Sequence, residues 1–155
     1  MKWGWRRAVI GCSLLLFSCG MDRGGEIGHV GLGLTLPQAD PGEIRGLGLF
    51  VFSLAPPDLQ CEPYLQGTFD PISEIPEHLI ALRFAEVPRG ETEMSVPLDG
   101  ISPGIRTILV ECYDAGGNRI FLGCGVAEVT VGEVTGLAMD MIEDPAATDP
   151  GGSGG

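Results

Sequence analysis

Basic side chains are scarce in this sequence: nine Lys and Arg stand against 21 Asp and Glu, a formal net charge of −12. A surface that negative repels nucleic acid and anionic headgroups, which sets nucleic acid aside as a partner; its first reading is that acidity keeps an exported domain soluble, with divalent cations or basic partners as alternatives. Aromatic residues make up 6% of the chain, too few for an evident sugar-stacking platform; Tyr64, Phe69 and Tyr113 are the candidates. The two histidines, His29 and His78, lie far apart in sequence with no Ser or Asp constellation beside either. With no Cys-x-x-Cys spacing, they give no metal site, and each reads as a surface residue. No window carries a helical stripe. The one long apolar run, residues 8–17, is too short for a membrane span, which takes about 20 apolar residues.

That run sits in an instructive context. Lys2, Arg6 and Arg7 precede it and Ser18-Cys19 close it, the order of a cationic head, an apolar core and a small residue that marks an export leader. Leu16-Phe17-Ser18-Cys19 resembles the lipobox of bacterial lipoproteins, with Phe17 bulkier than the usual occupant. Val9-Ile10-Gly11-Cys12 fits the pattern by letters, but only four residues separate Arg7 from Cys12, too few for the apolar core. Secretion by cleavage nearby, or an uncleaved anchor, are the alternatives to lipidation. The resemblance implies removal of residues 1–18 and acylation of Cys19, which makes the lipid bilayer a partner. One acyl chain holds a protein at a membrane only marginally, so stable anchoring takes two. Gly20 carries none of the acidic retention signal used by enteric bacteria, which points to the outer membrane of the cell envelope.

Loss of the leader removes three basic residues and no acidic one, leaving six arginines against 21 carboxylates and a net charge of −15. Cys61, Cys112 and Cys124 remain in an oxidising compartment, so one disulfide and one buried thiol are expected. Three pairings exist. Cys61 lies in the longest irregular stretch, where a cross-link removes the most chain entropy, about 3–4 kcal/mol. That favours Cys61–Cys124, with Cys112 buried as a small hydrophobe.

Elsewhere the hydropathy period is two. Val30, Leu32, Leu34 and Leu36 alternate with His29, Gly31, Gly33 and Thr35; Ile80, Leu82 and Phe84 with Ala81, Arg83 and Ala85. Met94, Val96 and Leu98; Ile108, Val110 and Cys112; Ala127, Val129 and Val131; and Leu137, Met139 and Met141 repeat the pattern. Each predicts a strand with these residues on its buried face. Residues 47–54 are apolar on both faces and fit a central strand. Residues 114–118 (Asp-Ala-Gly-Gly-Asn) suit a hairpin loop, and Gly132-Glu133 a two-residue turn with glycine first. About seven short strands separated by Gly, Pro and Asp predict an all-β protein, a single antiparallel immunoglobulin-like β-sandwich over residues 27–142. Residues 19–26 form a lipidated tether. Residues 56–78 hold five prolines and predict a long loop. Cys61, Tyr64 and Phe69 could pin that loop, or Tyr64 and Phe69 could make it a binding loop. Residues 143–155, acidic and then Ala/Pro/Gly/Ser-rich, predict a disordered tail.

Residues 94–101 (Met-Ser-Val-Pro-Leu-Asp-Gly-Ile), then Gly104-Ile105-Arg106-Thr107-Ile108-Leu109-Val110-Glu111, then Asp114 to Asn118, resemble the hairpin cadence of transthyretin-like and carboxypeptidase-regulatory-like sandwich modules. The likeness covers about a third of the chain and implies a non-catalytic adhesion, spacing or assembly domain with no catalytic residue; no cofactor is expected.

Motifs that match by letters fail on context. Gly100-Ile101-Ser102-Pro103-Gly104 has the G-x-S-x-G spacing, but a strand follows where the hydrolase elbow needs a helix; Gly151 to Gly155 repeats the letters in the tail. Gly31/Gly33 and Gly46/Gly48 are no dinucleotide loop and instead suggest close approach of other groups to an outer face. Asp40-Pro41-Gly42-Glu43, Asp99-Gly100 and Asp114 with Asn118 could supply oxygen ligands for calcium, though Asp and Asn at such places form turns. Glu91, Glu93 and Glu111 fall on the wetted faces of their strands. The reading is therefore a lipid-anchored, non-enzymatic envelope module that binds or assembles with an unknown envelope protein or polymer. A calcium- or carbohydrate-binding sandwich module is the alternative.

Overall fold

The computed structural model describes residues 26–37 and 44–147. The leader, Cys19, most of the tether, residues 38–43 and residues 148–155 lie outside them. Eight strands build the fold: β1 (Gly28–Thr35), β2 (Gly46–Phe52), β3 (Leu79–Glu86), β4 (Glu93–Ile101), β5 (Gly104–Tyr113), β6 (Arg119–Val129), β7 (Val134–Asp140) and β8 (Ile142–Glu143). They form a three-stranded sheet, β4-β1-β7, facing a five-stranded sheet, β3-β2-β5-β6-β8. The chain is an all-β sandwich.

Period-two patterning explains the core between the sheets. Val30, Leu32 and Leu34 from β1 meet Leu47, Leu49 and Val51 from β2 and Ile108, Val110 and Cys112 from β5, all essentially inaccessible. Each aliphatic side chain buried there stabilises the fold by roughly 1.5–3 kcal/mol. Between β5 and β6 the hairpin turn forms at residues 114–118: Asp114 Oδ1 accepts from the Gly116 and Asn118 amides, both at 2.8 Å. Asp114 Oδ2 accepts from Asn118 Nδ2 at 2.9 Å. Gly117 takes φ +80°, a conformation glycine adopts without a Cβ penalty.

The pairing is not antiparallel throughout. Gly132-Glu133 does form a turn, with the Glu133 amide donating to the Thr130 carbonyl at 3.3 Å. That turn carries the chain from one sheet to the other instead of closing a hairpin, so β7 adds parallel to β1. Val131, expected on a buried strand face, lies in this turn and is exposed.

Residues 56–78 are shorter on loop than expected. They wind into α1 (Cys61–Leu65), α2 (Pro71–Glu74) and a 3-10 turn (Pro76–His78). Asp70 caps α2 by accepting from the Ile72 amide at 3.1 Å, with Pro71 at the first helical position. Helices this short have no periodic stripe to read; they are held by what they cover. They lie on the outer face of the five-stranded sheet and make a second core of Phe50, Phe52, Leu59, Tyr64, Leu109 and Leu122. This cover is why β2 is apolar on both faces. It also corrects the placement of Leu109 and Glu111, which are buried and not wetted.

Strand β3 reverses expectation. Its alternation is real, but Ala81 and Ala85 face the core, while Ile80, Leu82 and Phe84 lie outside at 41%, 39% and 70% exposure. At the margin of the wider sheet, three opposing strands cannot reach over a fifth, and methyl side chains suffice to fill the gap. The domain also runs further than residue 142. β8 pairs with β6 through Phe121–Glu143 and Leu122–Ile142, and Asp144 is buried. Residues 143–147 are thus part of the folded domain and not of a disordered tail.

Candidate functional site

The cover is fastened at three points. A disulfide joins Cys61 at the start of α1 to Cys124 on β6, with Cα atoms 5.5 Å apart. Ser53 Oγ donates to the His78 carbonyl at 3.2 Å. Between them, Tyr64 points down from α1 and its hydroxyl donates to Glu111 Oε1 at 3.3 Å. Phe69 packs against the same second core. Tyr64 is 2% exposed, so it pins the segment and presents no ring to a ligand. Of the two loop candidates, Tyr64 takes the pinning role, and Phe69 is half-buried.

Glu111 is the hub of a buried polar clamp. The Tyr113 hydroxyl donates to Glu111 Oε2. Arg119 Nη1 donates to Glu111 Oε1, and its Nε to Asp144 Oδ2, each at 2.7 Å. The side chains of Glu111 and Asp144 are 5% and 3% exposed. One guanidinium therefore compensates two buried carboxylates and ties the cover, the β5–β6 hairpin and the C-terminal strand together. The chemistry of this cluster is that of a lock. Desolvation by burial, with the Glu111 carboxylate nearby, pushes the Tyr64 hydroxyl far above the usual phenol range, and the same causes raise Tyr113. Both phenols donate hydrogen bonds and do not ionise at neutral pH. Hydrogen bonds to Asp144 and Glu111 keep the Arg119 guanidinium charged despite its desolvation. An open depression of about 440 Å³ beside it is lined by Asp114, Asn118, Arg119 and Asp144. Asp114 there bonds within its turn, and Arg119 and Asp144 bond each other in the clamp.

The remaining candidates separate in space. Asp114 is committed to its turn, and hydrogen bonds from Asn118 hold its carboxyl below the ordinary range. Asp99 accepts from His29 Nδ1 at 2.8 Å. It lies near the β4–β5 connection, whereas Asp114 follows the far end of the ten-residue β5, roughly 30 Å away at 3.3 Å per residue. Among the described residues no cluster of three His, Cys, Asp or Glu could hold a metal; Asp40 and Glu43 fall outside them. Of Gly100 to Gly104, only Ser102 and Pro103 lie between β4 and β5, and a strand follows them, not a helix. Of the paired glycines, Gly48 has the Phe50 and Phe84 rings over it, within 3.3 Å of where a Cβ would be, while at Gly31 and Gly33 a Cβ would meet only ordinary contacts, at 3.7 and 3.9 Å.

What the sequence reading missed is the outer row of β3. Phe84 stands edge-on to Phe50 at 6.4 Å between centroids, and Ile80 and Leu82 continue the row into solvent. Its signal was present, since Ala81 and Ala85 are small enough to line a thin margin, but three large apolar residues read more naturally as inward.

No protein-family profile and no curated protein sequence matches the chain. Among solved structures, the T6SS lipoprotein TssJ1 from Pseudomonas aeruginosa is similar with a TM-score of 0.37 and 13% identity. The alignment covers 76% of this chain and 97% of that one.

Proposed function

We propose that this protein is an exported envelope lipoprotein, held at the bilayer by acylated Cys19, that works by binding or assembly and not by catalysis. The observation that carries the binding reading is the row Ile80, Leu82 and Phe84, left uncovered on a sandwich whose other large apolar side chains are mostly buried. An apolar row on a sheet edge is a place for a partner, because its burial is the largest favourable term still available to the domain. The clamp supports the same reading: its ionic groups Glu111, Arg119 and Asp144 are paired with one another, which serves rigidity.

The leader carries the compartment. Cys19→Ser should abolish acyl labelling and release the protein from the membrane fraction, read by radiolabelled palmitate and fractionation. Retention of label and of membrane attachment would remove the anchored reading. Crosslinking from intact membranes, with the lipid in place, should recover an envelope protein or polymer. Calcium and envelope glycans should leave the melting temperature unchanged; a rise with either would favour the alternative sandwich module.

A further inference from the structure

The geometry points to strand addition at β3: we propose that its free edge receives one extended segment of a basic partner protein, completing a six-stranded sheet. The inference rests on the binding reading above and names its site and the chemistry of the occupant.

The other outermost strands in the described residues are interrupted, short or tied to a neighbour, and β8 covers only Phe121 and Leu122 of β6. β4 carries Pro97 in its middle, which cannot donate to a ladder, and β8 is two residues long. β7 is stitched to β6 by Thr135 Oγ1, which donates to the Glu128 carbonyl at 2.8 Å. β3 has eight residues and, among the described residues, no strand beyond it. Its register with β2 fixes which backbone groups face outward. The Val87 amide donates to the Arg45 carbonyl at 3.1 Å, so in an antiparallel ladder the odd-numbered residues bond to β2. Leu82, Phe84 and Glu86 then aim their N–H and C=O groups at the open edge. The Leu82 carbonyl confirms this direction: it is covered only by its neighbour, the exposed Arg83, whose Nη1 donates to it at 2.9 Å. An incoming amide would replace that contact.

Charge selects the occupant. The outward row of apolar side chains ends in the Glu86 carboxylate, and Glu77, 3.8 Å from His78, stands exposed before the strand begins; Arg83 and Arg89 are the exposed cations on and just after the strand, so the excess of negative charge is that of the whole chain. A complementary strand has apolar residues at alternate positions and Lys or Arg at its ends. The −15 of the mature chain draws such a segment from a distance. A second copy is a poor fit. It brings the same −15, and pairing about Leu82 sets two Arg83 side chains diagonally across one face, where like charges oppose pairing. Strand addition draws affinity from main-chain hydrogen bonds and specificity from the alternate side chains.

The test places a photo-crosslinking phenylalanine analogue at Leu82, Phe84 or Glu86, one at a time, in the full chain in its own envelope, with Ile105 as an exposed position away from the edge. Mass spectrometry of the products should find one partner segment whose crosslinked residue moves by two as the analogue moves by two. That segment should be flanked by Lys or Arg. Phe84→Asp and Glu86→Lys should each lower its capture from the Leu82 position at least ten-fold, while the Cys61–Cys124 bond is retained as evidence of folding. Products joining β3 to β3 of a second copy, contacts that do not step, or no product at any edge position would overturn the proposal. If Ile105 captures a partner and the edge does not, the assembly reading stands and strand addition falls. If no position captures anything, both fall.

Discussion

Arg119→Met tests whether the buried clamp holds the fold. In the native protein the guanidinium meets Glu111 and Asp144 at 2.7 Å each, and both carboxylates are at least 95% covered. Two unit charges about 4 Å apart attract by roughly 4 kcal/mol at an effective dielectric near 20, an attraction offset by the cost of taking three charges out of water. Removing the cation leaves that cost uncompensated on two carboxylates. Breaking a buried pair in this way typically costs 3–5 kcal/mol. The Met side chain recovers some of the packing of the Arg stem, so about 3–4 kcal/mol is the expected loss. At roughly 4 °C per kcal/mol for a domain near this size, the melting temperature should fall by about 12–16 °C. Urea unfolding of the oxidised protein gives the free energy, and an unchanged m-value certifies that the unfolded state is the same. The triple variant Arg119→Met, Glu111→Gln, Asp144→Asn keeps the shapes and removes the charge, so it should regain half or more of the loss. A loss below about 1 kcal/mol for Arg119→Met would refute the clamp and reduce the pairs to the worth of exposed ones.

Three further outcomes follow from named contacts. Cys61→Ser with Cys124→Ser opens a closure 63 residues apart in sequence; the chain-entropy model gives about 4 kcal/mol, readable as a shift in urea midpoint, and an unchanged midpoint would refute it. Gly28→Ala places a Cβ 2.6 Å from the Thr130 carbonyl oxygen, whereas Gly31→Ala meets nothing nearer than 3.7 Å. The first should cost about 1–3 kcal/mol and the second less than about 1 kcal/mol in thermal unfolding; equal effects would contradict the packing of β1. Burial, with Glu111 adjacent, pushes the Cys112 thiol up to about 12. Because the folded state holds that proton more tightly than the unfolded one, its stabilisation is complete below about pH 9 and is lost as pH rises from 9 toward 12. Tyr64 and Tyr113 act in the same direction. Unfolding free energy should decline over that window, less so in Cys112→Ala, and a decline of equal slope in both would remove the thiol from the explanation.

The alternation of Val30, Leu32 and Leu34, or of Ile108, Val110 and Cys112, placed strands and their inward faces directly, because both sheets offer those residues a dry side. The chain entropy of residues 56–78 likewise made Cys61 the cysteine to expect in a disulfide. Reading failed where burial depends on an element far away in sequence. Glu111 sits at a position that alternation assigns to solvent, and the packing of Tyr64 from α1, 47 residues upstream, helps enclose it together with Tyr113 and Arg119. Arg119 and Asp144 give no local sign of pairing; one opens β6 and the other follows β8, so their meeting is a property of the register. β3 shows the converse. Period two constrains which residues share a face but leaves open which face is wet, and that choice is decided by the number of strands opposite. With three strands facing five, the marginal strand can turn its largest side chains outward at little loss to the core. The same imbalance that defeats the pattern leaves β3 free to accept another strand.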